Sequence, residues 1–275
     1  MDIAVNTAPT TPTATSSPAC LNDTLFLFAN SAFGSTYSWT GPNGFTSSLQ
    51  NPFIPNATLA ANGTYTVIAN NGCSSVPATI TVSVTPKPSA PVITSNSPLC
   101  EGGSLNLAAS NTGTTYLWSG PSSFTASIQN PTITPVSLLN AGLYSVVATA
   151  NGCISATRTV NIVINPIPAT PAVGNNSPIC TGQSFNLTVT PVTGATYNWI
   201  GPNSYTSSVQ SPTLTNVTLS QAGDYSLTIS VNGCSSATAA ITSVTINNTP
   251  LTPTVTSNSP LCVGDNLSLT ASGAE

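Results

Sequence analysis

Ser97-Pro98-Leu99-Cys100-Glu101-Gly102-Gly103 opens a stretch that passes through Tyr116-Leu117-Trp118-Ser119-Gly120-Pro121. It closes on Asn140-Ala141-Gly142-Leu143-Tyr144 and Asn151-Gly152-Cys153. The same stretch occurs three times in full and begins a fourth time. Its first cysteines, Cys20, Cys100, Cys180 and Cys262, step by 80, 80 and 82 residues. The tryptophans Trp39, Trp118 and Trp199 step by 79 and 81, and the second cysteines Cys73, Cys153 and Cys234 by 80 and 81. Three independent markers on one period mean a tandem array. The expected boundaries are the end of a preceding repeat over 1–8, repeats over 9–86, 87–166 and 167–249, and the start of a fourth over 250–275. The joints carry Pro9/Pro12, Pro86/Pro88/Pro91, Pro166/Pro168/Pro171 and Pro250/Pro253, which favour stiff, extended backbone.

Within the second repeat, Ser104-Leu105-Asn106-Leu107-Ala108-Ala109 alternates and predicts a strand with Leu105 and Leu107 inward. Thr115 to Trp118 is the next strand, stopped by Gly120-Pro121 because proline cannot continue a ladder. The polar run from Ser122 to Pro135 has Phe124, Ile128 and Ile133 as its apolar points. Tyr144 to Thr149 forms a further strand. Asn151-Gly152 then gives a two-residue hairpin signal, with the partner strand expected from Cys153 to Ile164. No segment has helical periodicity. Short strands with Gly/Pro turns every 8 to 12 residues predict an all-β chain of tandem β-sandwiches.

The composition narrows function. Charged residues make up 3% of the chain, against roughly 25% in ordinary soluble domains. Hydrophobic residues at 40% still supply cores, so the chain is not of the disordered class. Ser, Thr, Asn and Gln must cover the surface. Lys87 and Arg158 are the only basic residues, which leaves no electrostatic footprint for nucleic acid. No apolar run approaches the length of a membrane span, and the first twenty residues do not read as a signal peptide. Without a single His, Ser-His-Asp and Cys-His nucleophile schemes have no base. None of the acids Asp2, Asp23, Glu101, Asp224, Asp265 and Glu275 recurs at one position through all three repeats, so neither a carboxylate pair nor a calcium cage is supported. An enzyme is not expected, and neither is a cofactor or metal. Seven cysteines at fixed repeat positions, with no His and no Cys-x-x-Cys, point to disulfides in an oxidising, extracytoplasmic setting rather than to zinc.

The Glu101-Gly102-Gly103-Ser104-Leu105 opening, the tryptophan that follows it and an L-x-x-A-G-x-Y corner resemble an immunoglobulin-like domain. The corner stands at Leu59/Gly63/Tyr65, Leu139/Gly142/Tyr144 and Leu219/Gly223/Tyr225. More narrowly, S-P-L-C-x-G with W-x-G-P and V-N-G-C is similar to the Ig-like and PKD-like repeats of giant Bacteroidota surface adhesins, including gliding-motility adhesins exported by the type IX system. The resemblance implies tandem immunoglobulin-like β-sandwich domains in an elongated rod, extracellular and attached to the cell surface. In antibody domains the second core cysteine lies two residues after the corner tyrosine. Here Val67, Val146 and Leu227 hold that place, and the cysteines sit at turns.

In such a fold Cys100 lies at the pole of the opening turn, and nine residues separate Tyr144 from Cys153, about 30 Å at roughly 3.3 Å per residue. A disulfide needs Cα atoms within about 7 Å. Bridges between neighbouring repeats, Cys20–Cys153 and Cys100–Cys234, are therefore preferred. One bridge per repeat, Cys20–Cys73, Cys100–Cys153 and Cys180–Cys234, is the alternative that modular duplication suggests. The expected core residues are Trp39, Trp118, Trp199, Tyr65, Tyr144 and Tyr225. Phe45, Phe124 and Tyr205 follow the W-x-G-P turn and are candidates for ligand contact, in particular stacking on sugars, or for anchoring their own loop. Asn22, Asn56, Asn62, Asn186, Asn216 and Asn266 stand in N-x-S/T sequons, which a chain of this composition also generates by chance. The expected role is a structural and adhesive segment of a repeat adhesin. Its partners would be neighbouring repeats of the same chain and a surface polysaccharide or other substratum. The rival roles are a carbohydrate-binding module array and a self-assembling extracellular filament subunit.

Overall fold

A computed structural model of the chain describes residues 7–30, 34–110 and 115–273. The reading of Met1 to Ala8 as the last strand of a preceding domain falls almost wholly outside these residues. The molecule divides into two compact units, residues 1–98 with 102–164, and residues 99–101 with 165–275. The first unit holds the first two sandwiches and the second unit holds the third.

The first repeat runs β1 (Ala14–Ser16), β2 (Ala19–Cys20), β3 (Leu25–Ala29), β4 (Thr36–Thr40), β5 (Thr46–Ser47), β6 (Phe53–Ile54), β7 (Gly63–Asn70), β8 (Ala78–Val82) and β9 (Val84–Thr85). One antiparallel sheet has the order β1-β3-β6 and the other β5-β4-β7-β8, while β2 and β9 form a short parallel pair. The period of two decides what each strand buries. In β3, Leu25, Leu27 and Ala29 face the core and Phe26 and Phe28 face solvent. In β7 the buried set is Tyr65, Val67 and Ala69. Trp39 pairs with Val67 across β4 and β7, and its ring lies fully buried between the sheets. Its indole N–H donates to the Gln50 carbonyl at 3.2 Å, which satisfies the one polar atom that burial would otherwise strand.

The second and third repeats reproduce this plan. In the second, Leu105–Ser110 lies between Val92–Ser95 and Thr132–Ile133, and Thr115–Gly120 pairs with Gly142–Ala150. In the third, Phe185–Val189 lies between Val173–Asn175 and Thr213–Leu214, and Ala195–Gly201 pairs with Gly223–Val231. Trp118, Trp199, Tyr144 and Tyr225 are fully buried at the places of Trp39 and Tyr65. Among the described residues the only helical segments are four short 3-10 turns, one of them unique to the first repeat. Of the fourth repeat, Thr254–Ser257 pairs antiparallel with Leu269–Ser272.

Two sequence expectations need correction. The corner leucine matching Leu59 and Leu219 is Leu138, which starts the 3-10 turn Leu138–Asn140 as they start theirs, and not Leu139. The strand expected from Cys153 to Ile164 is instead divided into Cys153–Ile154, Arg158–Ile162 and Ile164–Asn165. The buried Ser155 causes the first break. Its hydroxyl accepts from the Ala148 N–H (3.0 Å) and donates to the Ala156 carbonyl (2.9 Å), taking over hydrogen bonds that a continuous ladder would have made. Ser75 and Ser236 occupy the same place in the other two repeats.

Candidate functional site

The corner explains the W-x-G-P and A-G-x-Y motifs together. Tyr65, Tyr144 and Tyr225 donate their phenolic O–H to the carbonyls of Ala61, Asn140 and Gln221, four residues back, at 3.0, 2.9 and 2.9 Å. Each ring lies flat against the glycine of the tryptophan turn. A Cβ on Gly41, Gly120 or Gly201 would stand 2.4, 2.5 or 2.4 Å from a carbon of the tyrosine ring, so only glycine fits. The residue four places after that glycine packs edge-on against the same ring: Phe45 on Tyr65, Phe124 on Tyr144 and Tyr205 on Tyr225, each with centroids 5.5 Å apart. Burial pushes the phenols of Tyr65 and Tyr144 above their ordinary value. Burial, with Tyr205 close by, pushes Tyr225 up to about 12.

Phe45, Phe124 and Tyr205 are thus half-buried walls of the corner. In the first repeat, Phe45 and Tyr65 also line a cavity of about 290 Å³ whose rim carries Pro42, Asn43, Asn56 and Thr58. The sequon residue Asn56 lies on that rim with a left-handed backbone.

The cysteines come together in two pairs. Cys20 bridges Cys153 and Cys100 bridges Cys234, each with Cα atoms 5.6 Å apart. With those four engaged, none of the one-per-repeat pairs forms. Cys153 and Cys234 each lie just past an Asn-Gly hairpin turn, and the carbonyls of Gly152 and Gly233 lie 3.9 and 3.8 Å from Cys20 Sγ and Cys100 Sγ. Cys73 is partly buried beside the corresponding Asn71-Gly72 turn, its N–H donating to Asn71 Oδ1 at 3.3 Å.

Among the described residues the acids form no reactive arrangement. Asp23 pairs with Lys87 at 2.5 Å, and Asp224 accepts from the Ser243 hydroxyl. Among the described residues no three acids or thiols meet as a metal cluster. No helix there is long and apolar enough to cross a membrane.

Sequence reasoning missed a second group of aromatics. Phe26, Phe28 and Phe53 stand on the outer face of the β1-β3-β6 sheet, each about half exposed. Phe53 pairs with Phe26 across β6 and β3. Ring centroids are 6.4 Å apart for Phe26 and Phe28, at an interplanar angle of 18°, and 6.3 Å apart for Phe26 and Phe53. Register places Asn106 and Thr132 at the Phe26–Phe53 pair in the second repeat, and Asn186 and Thr213 in the third. There the threonine hydroxyl donates to the asparagine side-chain Oδ1, at 3.0 and 2.6 Å. Ala108 and Thr188 stand in the place of Phe28, opposite Thr94 and Gly174 as Phe28 is opposite Thr15. The aromatic face belongs to the first repeat alone. Its signal was in the sequence: Phe26 and Phe28 alternate out of phase with Leu25 and Leu27.

A family model described as "Ig-like domain CHU_C associated" matches residues 88–166 and 168–248, together more than half of the chain. The chain belongs to this family. Solved Ig-like tandems are weakly similar to the chain. A three-domain I-band fragment of titin is 13% identical at a TM-score of 0.43, covering 87% of this chain and 96% of that one. The N-terminal eight Ig domains of Down Syndrome Cell Adhesion Molecule are 14% identical at 0.40, covering 88% and 37%. Extracellular domains 3–5 of Drosophila OTK are 13% identical at 0.37, covering 89% and 100%. No curated protein matches the sequence. In this CHU_C-associated Ig-like chain the tyrosine corner is kept, while the disulfides lie at the turns and not across the core. Two disulfides fit an oxidising, extracellular setting.

Proposed function

We propose that this chain is an adhesive segment of an extracellular repeat protein, held at the cell surface, and that its first repeat makes the contact with a neutral surface polysaccharide. The observation that carries the reading is the Phe26/Phe28/Phe53 face. Three exposed rings stand where the other two repeats place Asn, Ala or Thr. Contiguous exposed apolar patches mark interaction sites more often than isolated apolar residues do. The strands that carry the face, β1, β3 and β6, contain no charged residue, which suits an uncharged partner. Thr15, Ser17 and Asn51 border the rings with hydroxyl and amide groups, and the flat C–H faces of pyranose rings stack on aromatic rings while their hydroxyls need such neighbours. The motifs resemble those of giant Bacteroidota surface adhesins, some of them gliding-motility adhesins exported by the type IX system, and the second and third repeats then act as a stalk.

The test replaces the three rings by the residues of the second repeat, Phe26→Asn, Phe28→Ala and Phe53→Thr. Retention on cellulose or agarose beads should fall at least tenfold with the unfolding temperature changed by no more than a few degrees. Unchanged retention would remove this face from the proposal. The cavity beside Phe45 supports a second reading, a carbohydrate-binding array with Phe45, Phe124 and Tyr205 as contacts. Phe124→Ala would then weaken retention of the second repeat's face, whereas loop anchoring lowers only stability.

A further inference from the structure

The two bridges use one local frame, and the third repeat carries the same frame a third time. In the first repeat, Cys20 on β2 lies beside Thr85 on β9, and the Leu21 N–H donates to the Thr85 carbonyl at 2.9 Å. The incoming Gly152 carbonyl lies 3.9 Å from Cys20 Sγ, and Thr85 Oγ1 lies 3.0 Å from Cys153 Sγ. In the second copy, the Glu101 N–H donates to the Asn165 carbonyl at 2.9 Å, and the Gly233 carbonyl lies 3.8 Å from Cys100 Sγ. Asn165 adds a recognition contact: its Nδ2 donates to the carbonyl of Asn232 in the Asn-Gly-Cys turn at 3.0 Å. In the third copy, Ile179 and Cys180 pair parallel with Ile246 and Asn247, and the Thr181 N–H donates to the Asn247 carbonyl at 2.9 Å. Cys180 is a free, partly exposed thiol. Asn247 stands where Asn165 stands and is exposed. Cys262, also a free thiol, has no parallel strand beside it among the described residues.

We infer that Cys180 and Asn247 form a docking site for the Asn-Gly-Cys hairpin turn of a following repeat of the same type, closed by a disulfide to Cys180. Asn247 Nδ2 receives the asparagine carbonyl of that turn, Cys180 Sγ faces the glycine carbonyl, and the two sulfurs join. Joining two thiols releases two protons and two electrons, and a disulfide oxidant of the glutathione class takes them up, its own S–S bond opening to two thiols. The inference rests on the repeated frame and is independent of what the aromatic face binds.

The test is an extended chain in which a copy of residues 168–249 follows Thr249 in place of residues 250–275, equilibrated in a glutathione redox buffer beside the unextended protein. Non-reducing digestion should yield Cys180 joined to the appended copy of Cys234, and native labelling of Cys180 by N-ethylmaleimide should fall at least tenfold. Equal labelling in both chains, with Cys20–Cys153 and Cys100–Cys234 intact as the folding control, would overturn the inference. Disulfide-linked dimers of the unextended chain through Cys180 would also overturn it, by placing the turn on a second copy. Asn247→Ala in the extended chain should leave about fivefold more reduced Cys180 at a fixed glutathione ratio, the effect of one lost hydrogen bond of ordinary strength. An unchanged ratio would overturn the role given to Asn247.

Discussion

Gly120 has no room for a methyl group, because its hydrogen points into the face of Tyr144. Gly120→Ala should therefore cost about 1–3 kcal/mol, the usual range for overpacking. A lower unfolding temperature, repeated for Gly41→Ala and Gly201→Ala, is the expected result. The same tyrosines set the alkaline limit of the fold. In the unfolded chain a tyrosine titrates near 10, whereas Tyr225 in the folded chain is held up to about 12, first by burial and then by Tyr205. The folded state keeps its proton while the unfolded state loses it. Stability should thus be flat below pH ~10 and fall between about 10 and 12. Thermal unfolding across that window checks the sign, and Tyr225→Phe should flatten part of the slope. The buried Trp and Tyr of each repeat were legible from spacing and motif. That glycine and tyrosine meet face to face was not, because they are 24 residues apart in each repeat and only folding brings them together.

At the scale of strands, alternation told most of the story. Leu25 and Leu27 inward, and Leu105 and Leu107 inward, follow from period two alone. In the second repeat, Cys153 to Ile164 reads as one strand because Ser155 looks like any other strand serine until its hydroxyl is seen bonding Ala148 and Ala156. Ser155→Ala would leave the buried Ala148 N–H without its acceptor, at a cost of about 1–3 kcal/mol. Faster exchange of that amide, together with a lower unfolding temperature, would be the signature. The aromatic face shows the same limit from the other side. Phase placed Phe26 and Phe28 outward, but only the register between β3 and β6 brings Phe53 to them.

For the whole molecule, the repeat period and the sandwich class were legible in the sequence, since 80-residue periodicity and turn chemistry are local properties. Which cysteines meet is a long-range property, since each bridge joins the opening strand of one repeat to the Asn-Gly-Cys turn of the next. The bridges span 133 and 134 residues. Closing a loop of that size removes about 5 kcal/mol of chain entropy from the unfolded state by the loop-length estimate. The two loops also overlap, since Cys100 falls inside the first and Cys153 inside the second. Every peptide bond from Cys20 to Cys234 therefore has a sulfur route around it, and the bonds between Cys100 and Cys153 have two. A protease that cuts any one of them opens the backbone without releasing a fragment. Severing this protein in that region takes a cut and a reductant together.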